Sequence, residues 1–282
     1  MIKGLGTALI TPFKADKSVD YEALARLLDT QLTGKVDYIV VLGTTGEAAT
    51  MTEQEREEVR TFIRKYVNGR LPLVLGVGGN NTVAVCESLK TIDLTGFEAI
   101  LSVCPYYNKP NQEGLYQHFC AVAEASPIPV ILYNVPGRTG VNLLPETVMR
   151  IYEANPEKIA GIKEASGNVE QIKHLIDLAK GKLLVISGDD GIACEIMEAG
   201  GAGLISVASN AFAEDFWDIV HKKDQAKQAQ YEQMVRLLFK EGNPVGIKAV
   251  LAQKGIIQNY LRLPLVPASK ELQEEIQKEM AK

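Results

Sequence analysis

One lysine stands near the end of a short apolar run, Ile159-Ala-Gly-Ile-Lys163-Glu-Ala-Ser166. Removing an ammonium from water is costly without compensation, so the residue needs a reason to be there. One reason is that burial lowers its pKa and frees a neutral amine to attack a carbonyl. The other is that Lys163 lies just past the run and reaches back to water, the ordinary reading for a lysine taken alone. Gly43-Thr44-Thr45-Gly46 offers two hydroxyls and backbone N–H groups where glycine permits close approach, a composition suited to a carboxylate and also common in plain turns. Tyr133 could shuttle protons if its phenol bonds other hydroxyls, or could be a core aromatic with a satisfied OH. Arg138 follows a Pro-Gly turn, where a guanidinium can grip a carboxylate with two hydrogen bonds or simply stay solvated.

Other polar clusters carry less. Gly76-Val-Gly-Gly-Asn-Asn81 has asparagine where a dinucleotide loop needs its last glycine, so it reads as a turn. Asp189-Asp190 beside glycine reads as a turn or helix cap rather than a pair of acids. The four cysteines and three histidines are scattered, without Cys-x-x-Cys or metal-ligand spacing. That predicts reduced thiols and no protein-bound metal.

These residues fall at the ends of a repeating pattern. Apolar, β-branched runs at 5–10, 38–42, 73–77, 99–103, 130–133, 159–163, 183–187 and 204–207 alternate with amphipathic segments. Near-continuous apolar runs suit parallel strands covered on both faces. Asp20 is an N-cap candidate, and Thr52-Glu-Gln-Glu55 fits a capping box. Helical patterns also cover a stretch starting near Thr82, then 112–125, 145–154, 169–179, 192–199 and 215–221. Eight β-α pairs in roughly 220 residues predict a (β/α)8 TIM barrel, over a doubly wound sheet that needs a strand-order reversal. Residues 1–222 therefore form the expected catalytic barrel. Residues 223–282, with helical patterns at 226–240, 244–253 and 269–280, form a C-terminal helical region. Active sites of such barrels lie at the carboxyl ends of the strands, where Thr44, Tyr107, Tyr133, Arg138, Lys163 and Asp189 all fall.

Composition is that of an ordinary globular chain of 282 residues, with 46% hydrophobic and 23% charged residues and a net charge of -5. Nothing in it suggests nucleic acid or an anionic membrane as partner. No apolar run approaches the roughly 20 residues of a transmembrane helix, and the N-terminus reads as a strand rather than a signal peptide. A cytoplasmic location is expected.

Taken together, Gly43-Thr-Thr-Gly-Glu47, Pro105-Tyr-Tyr-Asn108, Tyr133-Asn-Val-Pro-Gly-Arg-Thr-Gly140, Gly161-Ile-Lys-Glu-Ala-Ser166 and Glu241-Gly-Asn-Pro244 carry a resemblance to a known family. Almost end to end, the chain resembles the dihydrodipicolinate synthases, also called 4-hydroxy-tetrahydrodipicolinate synthases. They belong to the pyruvate-dependent class I aldolases that include N-acetylneuraminate lyase. The resemblance implies that Lys163 forms a Schiff base with pyruvate. Thr45 and the Ile205 carbonyl match contacts to pyruvate, and Tyr133, Thr44 and Tyr107 match a hydroxyl relay. The relay tyrosine of the Tyr106-Tyr107 pair would enter from a neighbouring subunit, usually within a homotetramer built as a dimer of dimers. Arg138 matches the site for the carboxylate of aspartate 4-semialdehyde. No cofactor or metal is implied.

Tyr107 and Arg138 favour the synthase over a sugar-acid lyase. Intact Lys163, Tyr133 and Thr44 disfavour a non-catalytic binding barrel. The chain departs from lysine-inhibited members, which bind lysine at the dimer interface, at positions matching Ala49, Arg56, Asn80, Ala84 and Tyr106. Such members usually carry glutamate in place of Ala84, and often histidine or tryptophan near Glu53 or Arg56. Without that glutamate the lysine ammonium lacks its charge partner, so feedback inhibition is expected to be weak or absent.

Overall fold

The computed structural model describes residues 2–282. Its eight strands are β1 (Gly4–Ala8), β2 (Tyr38–Val41), β3 (Leu73–Gly76), β4 (Ala99–Val103), β5 (Val130–Asn134), β6 (Ile159–Glu164), β7 (Leu184–Ser187) and β8 (Gly203–Ser206). They form a closed barrel in sequential order, the expected (β/α)8 architecture. The strands are almost wholly buried, as continuous Val/Ile/Leu runs require when both faces are covered. None of the described helices is long and apolar enough to cross a membrane.

The expected limits shift where other groups take over the backbone. The run at 5–10 pairs as strand only to Ala8, because the Ile10 N–H donates to Asn210 Oδ1 at 3.1 Å. The run at 204–207 ends at Ser206, since Val207 turns into helical space with φ -87° and ψ -44°. The Pro-Gly turn after β5 is a single helical turn, Pro136–Thr139, closed by Gly140 at φ 76°. The helix expected over 192–199 spans Ala193–Glu198 and follows a tight turn at Asp190–Ile192, which Asp189 caps through Gly191 N at 2.8 Å.

Two compact units divide the chain. The first comprises, of the described residues, 2–3 and 72–205. Here the parallel register sets Tyr133 opposite Lys163 and Asn134 opposite Glu164, and then Lys163 opposite Ile186 and Glu164 opposite Ser187. Three of its helices start at polar caps: Asn81 caps Thr82–Thr91, and Asn111 and Asn168 cap Gln112–Ala125 and Val169–Ala179. The glycine-rich stretch before Asn81 is thus a helix entry.

The second unit comprises residues 4–71 and 206–282. Asp20 caps Tyr21–Thr33, and Thr52 with Glu55 completes the capping box that opens Glu53–Val67. The tail is helical at Gln225–Phe239, Val245–Gln253 and Lys270–Met280. Gly6 is required by packing, because a Cβ there would lie 2.2 Å from the buried Tyr38 ring.

Candidate active site

In the first unit the strand period does the positioning. Successive side chains point to opposite faces, so Tyr133 and Lys163 share one face and Asn134 and Glu164 share the other. Lys163 is only 6% exposed, and its Nζ lies 4.5 Å from the centre of the Tyr133 ring. The lysine therefore lies within the strand rather than past it. Its stem runs against Gly188, the residue after β7: a Cβ on Gly188 would lie 2.8 Å from Lys163 Cε and 2.6 Å from Ala165 Cβ. Glycine at 188 makes the room that the lysine occupies.

The opposite face is a closed polar network. Glu164 is fully buried, and its carboxylate accepts from Ser166 N at 2.7 Å, Asn134 Nδ2 at 2.9 Å and Gln171 Nε2 at 3.2 Å. Burial raises its pKa, and these hydrogen bonds pull it back down. Asn134 also donates to Asn142 Oδ1 at 2.8 Å and accepts from Leu143 N at 2.9 Å. Each outward residue thus fixes the backbone beside an inward one: Asn134 next to Tyr133, Glu164 next to Lys163.

Elsewhere in this unit, Arg138 lies exposed in the single helical turn Pro136–Thr139. Tyr107 is 88% exposed and holds the left-handed backbone at φ 78°, beside Tyr106 at 43% exposure. Ile205 is buried in β8.

In the second unit the loop after β2 carries Thr44 and Thr45. It consists of two tight turns, Thr44–Gly46 and Ala48–Thr50, hinged at Glu47. Leu42 before it and Glu47 within it stand at φ 54° and 55°, conformations that cost a side-chain-bearing residue of order 1–3 kcal/mol and persist only when the surroundings hold them. Thr11 Oγ1 donates to the Gly46 carbonyl at 2.8 Å, and the other surroundings come from the tail. Asn243 Nδ2 donates to Thr45 Oγ1 at 2.9 Å. Lys248 forms an ion pair with Glu47, with both side chains at 1% exposure or less. The Lys248 amine also donates to the Tyr260 carbonyl at 3.1 Å and lies 4.2 Å from the Phe13 ring centre. Burial lowers the Lys248 pKa to about 8 despite the Glu47 charge. Arg262 adds a backbone N–H to Glu47 Oε2 at 3.1 Å, and its guanidinium grips Glu55. That grip brings Glu55 down to about 2. Thr44 is exposed and Thr45 is buried.

Sequence reasoning named Lys163, Tyr133, Thr44 and Thr45 as site candidates but gave no role to the residues that support them: Asn134, Glu164, Gly188, Asn243, Lys248 and Arg262. Lys248 had a readable signal, a lone lysine in the apolar run Val245-Gly-Ile-Lys-Ala-Val-Leu251, the same anomaly that marked Lys163.

A buried lysine on the sixth strand of a closed (β/α)8 barrel fits a lyase of the class I aldolase type. Residues 1–282 match the Dihydrodipicolinate synthetase family. A 4-hydroxy-tetrahydrodipicolinate synthase of Parabacteroides distasonis is 50% identical over 273 residues, covering 94% of this chain and 92% of its own. A dihydrodipicolinate synthase crystal structure from Thermotoga maritima superposes with a TM-score of 0.95 at 39% identity, covering 100% of this chain and 98% of that one. The chloride-inhibited synthase of Acinetobacter baumannii, solved with pyruvate, gives the same TM-score, identity and coverage. The chain belongs to the Dihydrodipicolinate synthetase family.

Proposed function

We propose that this protein condenses pyruvate with L-aspartate 4-semialdehyde to give 4-hydroxy-tetrahydrodipicolinate, the first committed step of diaminopimelate and lysine biosynthesis. Lys163 attacks the ketone of pyruvate and, with loss of water, forms an imine. The protonated imine is an electron sink, so a methyl proton leaves and an enamine forms. The enamine carbon adds to the aldehyde. The semialdehyde's own amine then displaces Lys163 as the ring closes. Tyr133, Thr44 and Tyr107 relay the protons. Thr45 and the Ile205 carbonyl hold pyruvate, and Arg138 holds the second carboxylate.

The observation that carries this reading is the Lys163 amine, buried within β6 and 4.5 Å from the Tyr133 ring centre, in a chain of this family. Tyr107, 88% exposed on its own chain, suits a relay residue lent to a neighbouring subunit of a homotetramer. We assign the protein to the cytoplasm, with residues 1–222 as catalytic barrel and residues 223–282 as the helical region that supports the loop after β2.

The test is pyruvate consumption with aspartate 4-semialdehyde, run beside N-acetylmannosamine. Turnover with the semialdehyde alone is expected, and turnover with the sugar alone overturns the assignment. L-lysine at millimolar concentration should leave the rate nearly unchanged, because Ala84 offers no charge partner to its ammonium. Strong inhibition at that concentration contradicts this expectation.

A further inference from the structure

Two contacts tie the loop after β2 to one distant segment. Asn243 reaches Thr45 across 198 residues of sequence, and five residues further on Lys248 pairs with Glu47. The ion pair fixes where the loop lies. The amide contact fixes something finer. A threonine hydroxyl has one hydrogen to donate and lone pairs to accept with, and the hydrogen rotates to suit its neighbours. The Asn243 amide nitrogen, at 2.9 Å, fills a lone pair of Thr45 Oγ1. The hydroxyl hydrogen cannot then point at Asn243. A carboxylate accepts hydrogen bonds and donates none, so only a hydroxyl with its hydrogen turned toward the substrate can bind one.

We propose that Asn243 is a positioning residue: by donating to Thr45 it commits the Thr45 hydroxyl to act as a donor to the carboxylate of the 2-oxo acid. The inference rests on the reading of Thr45 as a carboxylate contact. Asn243 is 7% exposed and Thr45 is 3% exposed, so water has little access to scramble the arrangement.

The experiment measures pyruvate KM, semialdehyde KM and kcat for N243D, N243A, T45V and the two double variants, with thermal melts to report folding. N243D keeps the size but presents only acceptors, so it draws the Thr45 hydrogen toward itself. It should raise pyruvate KM roughly 10- to 100-fold, the range for a lost hydrogen bond to a charged group. N243A frees the hydroxyl to rotate and should raise it by no more than roughly tenfold. Semialdehyde KM should stay unchanged in both. In the T45V background neither change at 243 should add a further effect, because the hydroxyl it acts on is gone.

An equal effect of N243D in the wild-type and T45V backgrounds would mean that the introduced charge simply repels pyruvate, and overturns the proposal. So does N243A raising pyruvate KM as much in T45V as in wild type, a result that still decides the matter if N243D fails to fold. If T45V itself leaves pyruvate KM unchanged, the carboxylate reading of Thr45 fails and the proposal falls with it.

Discussion

Among the described residues two lysines are buried, and their amines face different partners. Lys163 sits on β6 with its amine over the Tyr133 ring. Lys248 sits on the helix Val245–Gln253 with its amine bonded to Glu47 and to the Tyr260 carbonyl. Burial lowers the Lys248 pKa to about 8, a value that on its own would nominate a nucleophile. Its donors are nevertheless taken up by structural partners, and its role is to hold a strained loop. A buried amine is a strut or a nucleophile according to what its donors face.

The supports differ as well. The strand-borne pair Tyr133 and Lys163 is placed by register, with Asn134 and Glu164 locking the backbone from the opposite face. The loop-borne pair Thr44 and Thr45 has no strand to place it and depends on an ion pair and a side-chain amide from the tail. Breaking the strut should therefore cost most. K248M leaves the Glu47 carboxylate buried and unpaired, and should lower stability by about 3–5 kcal/mol in urea unfolding. The double variant E47Q/K248M should recover much of that loss, since neutralising both partners removes the stranded charge. A cost for K248M below about 1 kcal/mol, the range of exposed pairs, would erase the distinction drawn between the two lysines.

The strand side should break more gently. G188A puts a methyl 2.8 Å from Lys163 Cε and 2.6 Å from Ala165 Cβ, overpacking that costs roughly 1–3 kcal/mol. Because the lysine stem must move, imine formation with pyruvate should slow while semialdehyde KM holds, which stopped-flow and steady-state assays would read. An unchanged imine rate would mean that Lys163 reaches its position without the room at 188.

The smallest effect is on acid stability, and it separates the two regions by sign. Glu55 is held at about 2, below its ordinary 4.5, chiefly by hydrogen bonds from Arg262. A lowered folded-state pKa gives stability that is present above pH 4.5 and lost as pH falls toward 2. Glu164 is raised by burial. Its contribution has the opposite slope: present below 4.5, it is lost as pH rises through the folded value. Urea melts between pH 7 and 2.5 should show, relative to wild type, a smaller loss of stability below pH 4.5 for E55Q and a smaller loss as pH rises above 4.5 for E164Q. Identical slopes for the two variants would contradict these assignments.

The barrel was legible because parallel strands leave continuous apolar runs, and two of its helix starts because Asp20 and Thr52 cap them locally. Lys163 was legible as a charge in an apolar run. Strand ends were less so, since at Ile10 a side chain from residue 210 replaces a strand partner. The supports of the loop after β2 were not legible as supports. Asn243, Lys248 and Arg262 act across roughly two hundred residues of sequence, and no local period links them to Thr45 or Glu47. Glu164 was hidden for another reason: beside a conspicuous lysine it reads as the polar end of the same strand, until register shows it on the opposite face.

The most direct test of the account is borohydride trapping of the protein with pyruvate, followed by peptide mass mapping. A single reduced pyruvate adduct on the peptide containing Lys163, absent in K163R, is the predicted result. An adduct on the Lys248 peptide instead, or full turnover by K163R without any adduct, would contradict the division of labour between the two buried amines and the Schiff-base mechanism with it.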